Sequence, residues 1–188
     1  MPKQSSTEGK IPPQSLDAEM SLLGAILIDD EVLASVSDRL KPNDFYDKRH
    51  ATVYDAMFRL YEHHKPIDLL TLSDELTKKD ELEIVGGSAY LTELTNYVPT
   101  AAHAGAYADM IAQKAVRRRL IKASTDIAEL GFNEEKNIQE LLETAEAELD
   151  RRLAAAGGGP LAFSEPASAL YDAMRDAPGV ALRTLSYR

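Results

Sequence analysis

The sequence has no cysteine and no tryptophan, and only four of its 188 residues are phenylalanine. Without cysteine, the chain can form no disulfide, no thiolate nucleophile and no cysteine-based zinc site. Bilayer-crossing helices need about 20 consecutive apolar residues, and no segment of the sequence provides them. The first residues also lack the apolar stretch of a secretory signal. These absences predict a cytoplasmic protein with no membrane partner.

Basic residues are outnumbered by acidic ones. Lysine and arginine total 21 against 31 aspartate and glutamate, which gives a formal net charge of −10. Tight binding to nucleic acid depends mainly on basic groups that release counterions from phosphates. We therefore expect any contact with single-stranded DNA to be weak, confined to one patch, or made by a domain outside this sequence.

The spacing of apolar residues predicts an all-α fold. Apolar side chains recur every three or four residues, and no segment shows the alternation of a half-buried strand. After a disordered tail over residues 1–14, a small helical globule is expected over 15–100. Within it, Ser15 and Thr71 are expected to cap helices. Residues 101–156 then form two long helices joined by a short loop, which is an antiparallel helical hairpin.

The last part of the sequence predicts a separate helix. The glycine run within residues 157–165 indicates a flexible linker. A short amphipathic linker helix is expected over 166–178, followed by the segment 179–188. The helix has little to pack on within this chain, so we interpret its apolar face as a docking surface for another domain. That face consists of Leu170, Tyr171 and Met174.

The hairpin carries more apolar residues than one helix–helix seam can bury. Such a surplus face requires a second partner, either the globule or another copy of the hairpin. We favour another copy, because an arm of this length is expected to project beyond a small globule. The predicted oligomer interface consists of Tyr107, Ile111, Ala115, Leu120, Leu142 and Leu149.

Motifs that would indicate chemistry in this chain are missing. The phosphate-loop pattern is not present, because the only Gly-Lys pair is followed by Ile11. His50, His63 and His64 lie near the ends of one predicted helix, but no matching carboxylate spacing accompanies them. A solvated pair of histidines at a helix end, His63 and His64, is a better explanation than a metal site. The sequence therefore predicts no catalytic, cofactor-binding or metal-binding residue.

Arg117, Arg118 and Arg119 form the main basic cluster. They could follow a phosphate backbone or bind acidic surface on a protein partner. The simplest interpretation is that they pair with the acidic second helix of the hairpin, which lies alongside in an antiparallel arrangement.

Several segments together resemble the N-terminal domain of DnaB-type replicative DNA helicases. They occur in the order and spacing of that family over about residues 11–155. The segments are Ile11-Pro12-Pro13-Gln14-Ser15-Leu16-Asp17-Ala18-Glu19 with Leu23-Gly24, Asp44-Phe45-Tyr46 with His50, Pro66-Ile67-Asp68-Leu69 with Thr71, Val85-Gly86-Gly87, Ala89-Tyr90-Leu91, Val98-Pro99-Thr100-Ala101-Ala102 and Tyr107-Ala108.

This resemblance implies a non-catalytic fragment of a hexameric helicase that unwinds duplex DNA at the replication fork. Hairpins of two subunits would pair, and three pairs would form a collar on which primase docks. The linker helix would pack on a neighbouring motor domain, and residues 179–188 would lead into that motor. ATP and Mg²⁺ would bind to the motor beyond residue 188. At this end the match is weaker, because Leu185 stands where the family usually has glycine.

The resemblance also implies a primase-binding surface, formed by Asp17, Tyr90, Arg118, Ile121 and Ile127. Each of these residues has a structural alternative. Tyr90 could lie in the core, Ile121 and Ile127 in the seam between paired copies, and Asp17 at a helix terminus that it stabilises, and Arg118 could pair with the acidic helix. Two other functions stay open at this stage. One is a helicase loader or adaptor that binds a helicase in trans, and the other is a helical enzyme with an unrecognised active site.

Overall fold

A computed structural model describes residues 11–98, 100–132 and 137–154, and all of them lie in one unit that extends to Gly158. The prediction of an all-α fold is confirmed, since none of the described residues forms a strand. Predicted features that lie outside the described residues are the tail over 1–10, the linker 157–165, the linker helix 166–178 and the segment 179–188. The described α-helices are α1 (Leu16–Ile28), α2 (Glu31–Val36), α3 (Lys48–Glu62), α4 (Leu69–Lys78), α5 (Leu82–Val85), α6 (Gly87–Tyr97), α7 (Ala104–Leu130) and α8 (Ile138–Ala154). The loop between α2 and α3 also contains a single turn of 3-10 helix, Pro42–Asp44.

Helix α1 is the centre of the core. Its sequence is apolar on nearly every side, as expected of a helix surrounded by other helices, and Leu22, Leu23 and Ile26 are completely buried. Helix α6 packs on one side of α1 and the first half of α7 packs on another. Close approach to α6 depends on Gly24, because a Cβ there would lie 2.3 Å from the backbone oxygen of Leu94.

Aspartate side chains cap the N-termini of α3 and α4. Asp47 accepts a hydrogen bond from the Arg49 amide at 2.8 Å where α3 starts. Asp68 accepts from the amide of Thr71 at 2.8 Å, and the Asp68 amide donates to Thr71 Oγ1 at 3.0 Å. Thr71 was predicted to cap α4 and is instead the third residue of the helix, because Asp68 occupies the capping position.

The first half of α7 belongs to the core of the globule. Ala104, Ala108 and Ile111 are buried in the same hydrophobic cluster as α1. The boundary predicted at residue 100 therefore divides a continuous core. The predicted disordered tail over 1–14 is also too long, because the described residue Pro13 is held by α7 through its backbone oxygen.

Replacing Gly24 with alanine tests the contact between α1 and α6. The added Cβ meets backbone, which cannot move aside as a flexible side chain could, so we expect Gly24→Ala to lower the free energy of unfolding by about 1–3 kcal/mol. Gly105→Ala is the control, because a Cβ at that helical position meets only Arg39 Nη2 at 3.8 Å. Urea denaturation should show unchanged or higher stability for the control. Equal stability of both variants would contradict the close approach.

Candidate protein–protein interface on the helical hairpin

The second half of α7 and the antiparallel helix α8 form an arm beyond the core. We use the name arm for residues 116–132 together with α8. Asn137 begins α8 as predicted, since its side-chain oxygen accepts a hydrogen bond from the Glu140 amide at 2.9 Å. Ala123 is completely buried in this half of α7, whereas other apolar side chains of the arm reach solvent. The two helices therefore cover each other only in part.

Two residues of the predicted oligomer interface are not available to a partner. Ile111 and Ala115 are 1% and 2% exposed, and Ile111 lies in the core cluster that includes α1. Assigning them to an interface between copies was wrong, because helical spacing shows that a face is apolar but not which element covers it. Tyr107 packs against the same core and is partly buried.

The arm keeps the other predicted interface residues accessible. Leu120 and Leu142 are 49% and 52% exposed, and Leu149 is partly buried. Two further exposed apolar residues of the arm were missed, namely Ile138 at 74% and Phe132 at 86%. Ile138 lies one turn before Leu142 on α8, and this spacing could have identified it.

Residues implied for primase binding fall into two groups. Ile121 is 44% exposed and Ile127 is partly buried, and both lie on the arm. The other group is held by contacts within the chain. Asp17 is exposed, but it accepts a hydrogen bond from the Tyr97 hydroxyl at 2.8 Å. Tyr90 is partly buried, and its hydroxyl oxygen lies 2.6 Å from His50 Nε2.

Arg118 points at the globule. Its Nη1 donates to the backbone oxygen of Pro13 at 2.7 Å, and its Nη2 donates to the backbone oxygen of Asp44. Burial lowers the pKa of Arg118. The interpretation that this arginine pairs with the acidic helix α8 is therefore wrong. Arg119 also reaches the globule, since its Nη2 lies 2.7 Å from Asp44 Oδ1, whereas Arg117 is exposed.

His50, near the start of α3, is buried, whereas His63 and His64 are exposed at the end of that helix. The exposed fraction of His50 is 1%, and its Nδ1 lies 2.7 Å from Glu19 Oε2. Glu19 Oε1 also accepts a hydrogen bond from the Tyr46 amide at 2.7 Å, and Oε2 accepts one from the Asp47 amide at 3.3 Å. The position of Glu19 within the apolar helix α1 could have predicted these contacts. A glutamate is buried in such a helix only if other groups donate hydrogen bonds to its carboxylate.

Metal ions have no candidate site among the described residues. These residues contain no group of three or more histidine, aspartate or glutamate side chains that could hold a metal ion. Helices long and apolar enough to span a bilayer are likewise not found in this part of the chain. Linker-helix residues Leu170, Tyr171 and Met174 lie outside the described residues. The accessible apolar side chains of the arm are therefore the strongest candidate site.

A helical globule that continues into a partly covered two-helix arm defines the class of this chain, an all-α globule-and-hairpin domain. Residues 11–113 match the family model of the DnaB-like helicase N terminal domain. The chain belongs to this family, and the resemblance found in the sequence is confirmed. The crystal structure of the N-terminal domain of DnaB helicase from Mycobacterium tuberculosis is similar, with a TM-score of 0.71 and 42% identity. The similarity covers 74% of this chain and 98% of that one.

Two longer proteins are similar to this chain over about 30% of their own length. Replicative DNA helicase DnaB of Leifsonia xyli is 44% identical over 140 residues, covering 74% of this chain and 31% of the relative. Replicative DNA helicase DnaC of Bacillus subtilis is 42% identical over 137 residues, covering 73% and 30%. The chain thus spans less than a third of the length of these relatives.

A solved DnaB-like replicative helicase, described with its interactions with primase, has the same fold with a TM-score of 0.62. That similarity covers 88% of this chain and 36% of the helicase, at 24% identity.

Glu19→Gln tests the buried hydrogen-bonded group. The amide nitrogen of glutamine cannot accept a hydrogen bond, so at least one of the three donors around Glu19 loses its acceptor. We expect the free energy of unfolding to fall by on the order of 3 kcal/mol. Asp74→Asn makes the same chemical change in an exposed pair with Lys78, and it should cost less than about 0.5 kcal/mol. Chemical denaturation of both variants makes the comparison, and equal small losses would contradict the buried role.

Proposed function

We propose that this chain is the assembly and docking part of an ATP-dependent replicative DNA helicase. Family membership and the replicative helicases to which it is similar support this proposal. Unwinding, ATP and Mg²⁺ belong in this proposal to a motor domain of the whole protein, which acts in the cytoplasm at the replication fork. The alternative, a loader or adaptor that binds a helicase in trans, is not favoured by these relatives.

The observation that carries the assembly role is the exposed apolar surface of the arm. Leu120, Leu142 and Ile138 are each about half or more exposed. Full burial of such a side chain stabilises a structure by roughly 1.5–3 kcal/mol. Burying the surface that each of these side chains still exposes would therefore contribute roughly half of that free energy or more. In a two-fold symmetric dimer every contact occurs twice. The free energy of burying these side chains is then comparable with the free-energy cost of bringing two chains together. A second copy of the arm is the partner that we propose, and pairs of arms would build a hexameric collar.

Charge favours a protein partner over nucleic acid on this surface. Helix α8 carries the exposed residues Glu140, Glu143 and Glu146, and the net charge of the whole chain is −10. Negative potential repels phosphates. Single-stranded DNA is therefore expected to bind to this chain weakly, and mainly to the motor domain.

Leu142→Glu tests self-association. A charge at this position must be desolvated if two arms pair, so we expect the dimer dissociation constant to rise at least about tenfold, or about 1.4 kcal/mol. Leu70→Glu is the matched control, because Leu70 is 80% exposed and lies on α4. Sedimentation equilibrium of the chain and both variants makes the measurement. A strictly monomeric parent chain at high micromolar concentration, or equal effects of the two variants, would contradict the pairing of arms.

We propose primase as the second partner of the arm. The described interactions of a DnaB-like helicase with primase, together with the shared fold, support this choice. Ile121 and Ile127 are the two apolar side chains of the implied set that lie on the arm. Asp17, Tyr90 and Arg118 already make contacts within the chain, so we assign them indirect roles.

Titration calorimetry with primase from the same organism tests this assignment. Ile121→Ala removes apolar surface without adding charge, so we expect primase affinity to fall about threefold to tenfold. Leu70→Ala is the control and should leave affinity unchanged. Sedimentation of each variant separates this effect from loss of self-association. An unaltered affinity for Ile121→Ala and Ile127→Ala would exclude these residues from the contact.

A further inference from the structure

Two residues that the family resemblance assigned to a partner surface, Tyr90 and Arg118, lie at opposite ends of one internal network. The Tyr90 hydroxyl oxygen is 2.6 Å from His50 Nε2, and His50 Nδ1 is 2.7 Å from Glu19 Oε2. The other oxygen of Glu19 accepts a hydrogen bond from the Tyr46 amide at 2.7 Å. One chain of hydrogen bonds therefore joins α6, α3 and α1 to the loop that precedes α3.

Helix α7 holds the same loop from the other side. The Arg118 guanidinium lies 5.8 Å from the centre of the Tyr46 ring. It donates to the backbone oxygens of Pro13, at 2.7 Å, and Asp44. Asp44 is 6% exposed, and its carboxylate bridges Arg119 Nη2 at 2.7 Å and the Lys41 amide at 2.9 Å. The position of this loop therefore constrains the position of α7.

Arg118 is placed where small displacements have large effects. It follows the buried residue Ala115 on α7, and the helix continues to Leu130. Twelve residues at 1.5 Å per residue span about 18 Å, so a rotation of about 15° at Arg118 moves the end of α7 by about 5 Å. A direct partner contact by Arg118 would instead remove the donor from two backbone oxygens, which is costly.

We infer that Tyr90, His50 and Glu19 act through the loop at Tyr46 and through Arg118 to set the direction in which the arm leaves the globule. In this network Tyr90 and Arg118 are positioning residues. Tyr90 is partly exposed, so a molecule that withdraws its hydroxyl from His50 would change the direction of the arm without touching it. The inference concerns the conformation of a single chain and does not depend on the proposed pairing of arms.

Distance measurements between spin labels test the direction of the arm. Because the chain has no cysteine, Lys79→Cys on the globule and Glu129→Cys on the arm give two unique exposed labelling sites. Excess unlabelled chain removes distances between copies. We expect Tyr90→Phe and Arg118→Lys each to shift or broaden the distance distribution by about 3–5 Å. In the double variant, we expect the distance distribution to change by no more than it does in whichever single variant has the larger effect.

Thr92→Ala is the matched control on α6, because Thr92 is exposed and bonds only locally, to the backbone oxygen of Ser88 at 3.0 Å. It should leave the distance unchanged. Circular dichroism confirms that each variant is folded. If Tyr90→Phe leaves the distance unchanged while Arg118→Lys alters it, the network does not extend to α6, and if neither alters it, the inference is wrong. Sedimentation of the same samples reports pairing separately, so failure of this inference and failure of the proposed function are distinguishable.

A double-mutant cycle gives an independent measurement. For residues in one network, we expect the combined effect of Tyr90→Phe and Arg118→Lys on the unfolding equilibrium constant to depart from the product of the single effects by about threefold or more. Pairing Tyr90→Phe with Asp74→Asn, which lies in an exposed pair on α4, should give the simple product. If the combined effect of Tyr90→Phe and Arg118→Lys equals the product of the single effects within error, the two residues are not coupled and the inference is wrong.

Discussion

The packing of α1 between α6 and α7 is the interaction on which the rest of the structure depends. It requires small residues at the contacts, and Gly24 on α1 meets the backbone of Leu94 without space for a side chain. On α7 the facing residues include Ala104 and Ala108, which are also buried. Interiors packed this closely resist small displacements. The position of α1 therefore fixes the first half of α7 and, with it, the origin of the arm.

This packing gives one helix two roles. Ile111 and Ala115 stabilise the globule, whereas Leu120 and Ile121, only a few residues later, reach solvent. The change occurs beside Arg118, whose guanidinium replaces apolar contact with hydrogen bonds to Pro13 and Asp44. A continuous helix transmits orientation because its backbone is hydrogen-bonded throughout. The same helix that completes the core can therefore carry an assembly surface at a defined position.

The sequence predicted features that depend on local chemistry or on periodicity. Spacing of apolar residues indicated the all-α fold and both long helices, and Asn137 was identified as the start of α8. The start of α4 was predicted less well, because Asp68 and Thr71 can each cap a helix. Reciprocal hydrogen bonds between these two residues place Asp68 at the capping position. The short helix α5 was not predicted, since four residues carry too little pattern. Gly86, with a φ of 104°, separates it from α6.

Contacts between distant segments could not be read from the sequence. Glu19 and His50 are 31 residues apart, and Arg118 and Pro13 are 105 apart. Nothing local shows that such residues meet, so a charged cluster on an amphipathic helix was interpreted from its nearest oppositely charged neighbour. The resemblance to a family implied that Tyr90 and Arg118 contact a partner, whereas in the structure both make hydrogen bonds within the chain. Residues that control a partner surface need not lie on it, because a buried contact that orients a helix affects every side chain further along that helix.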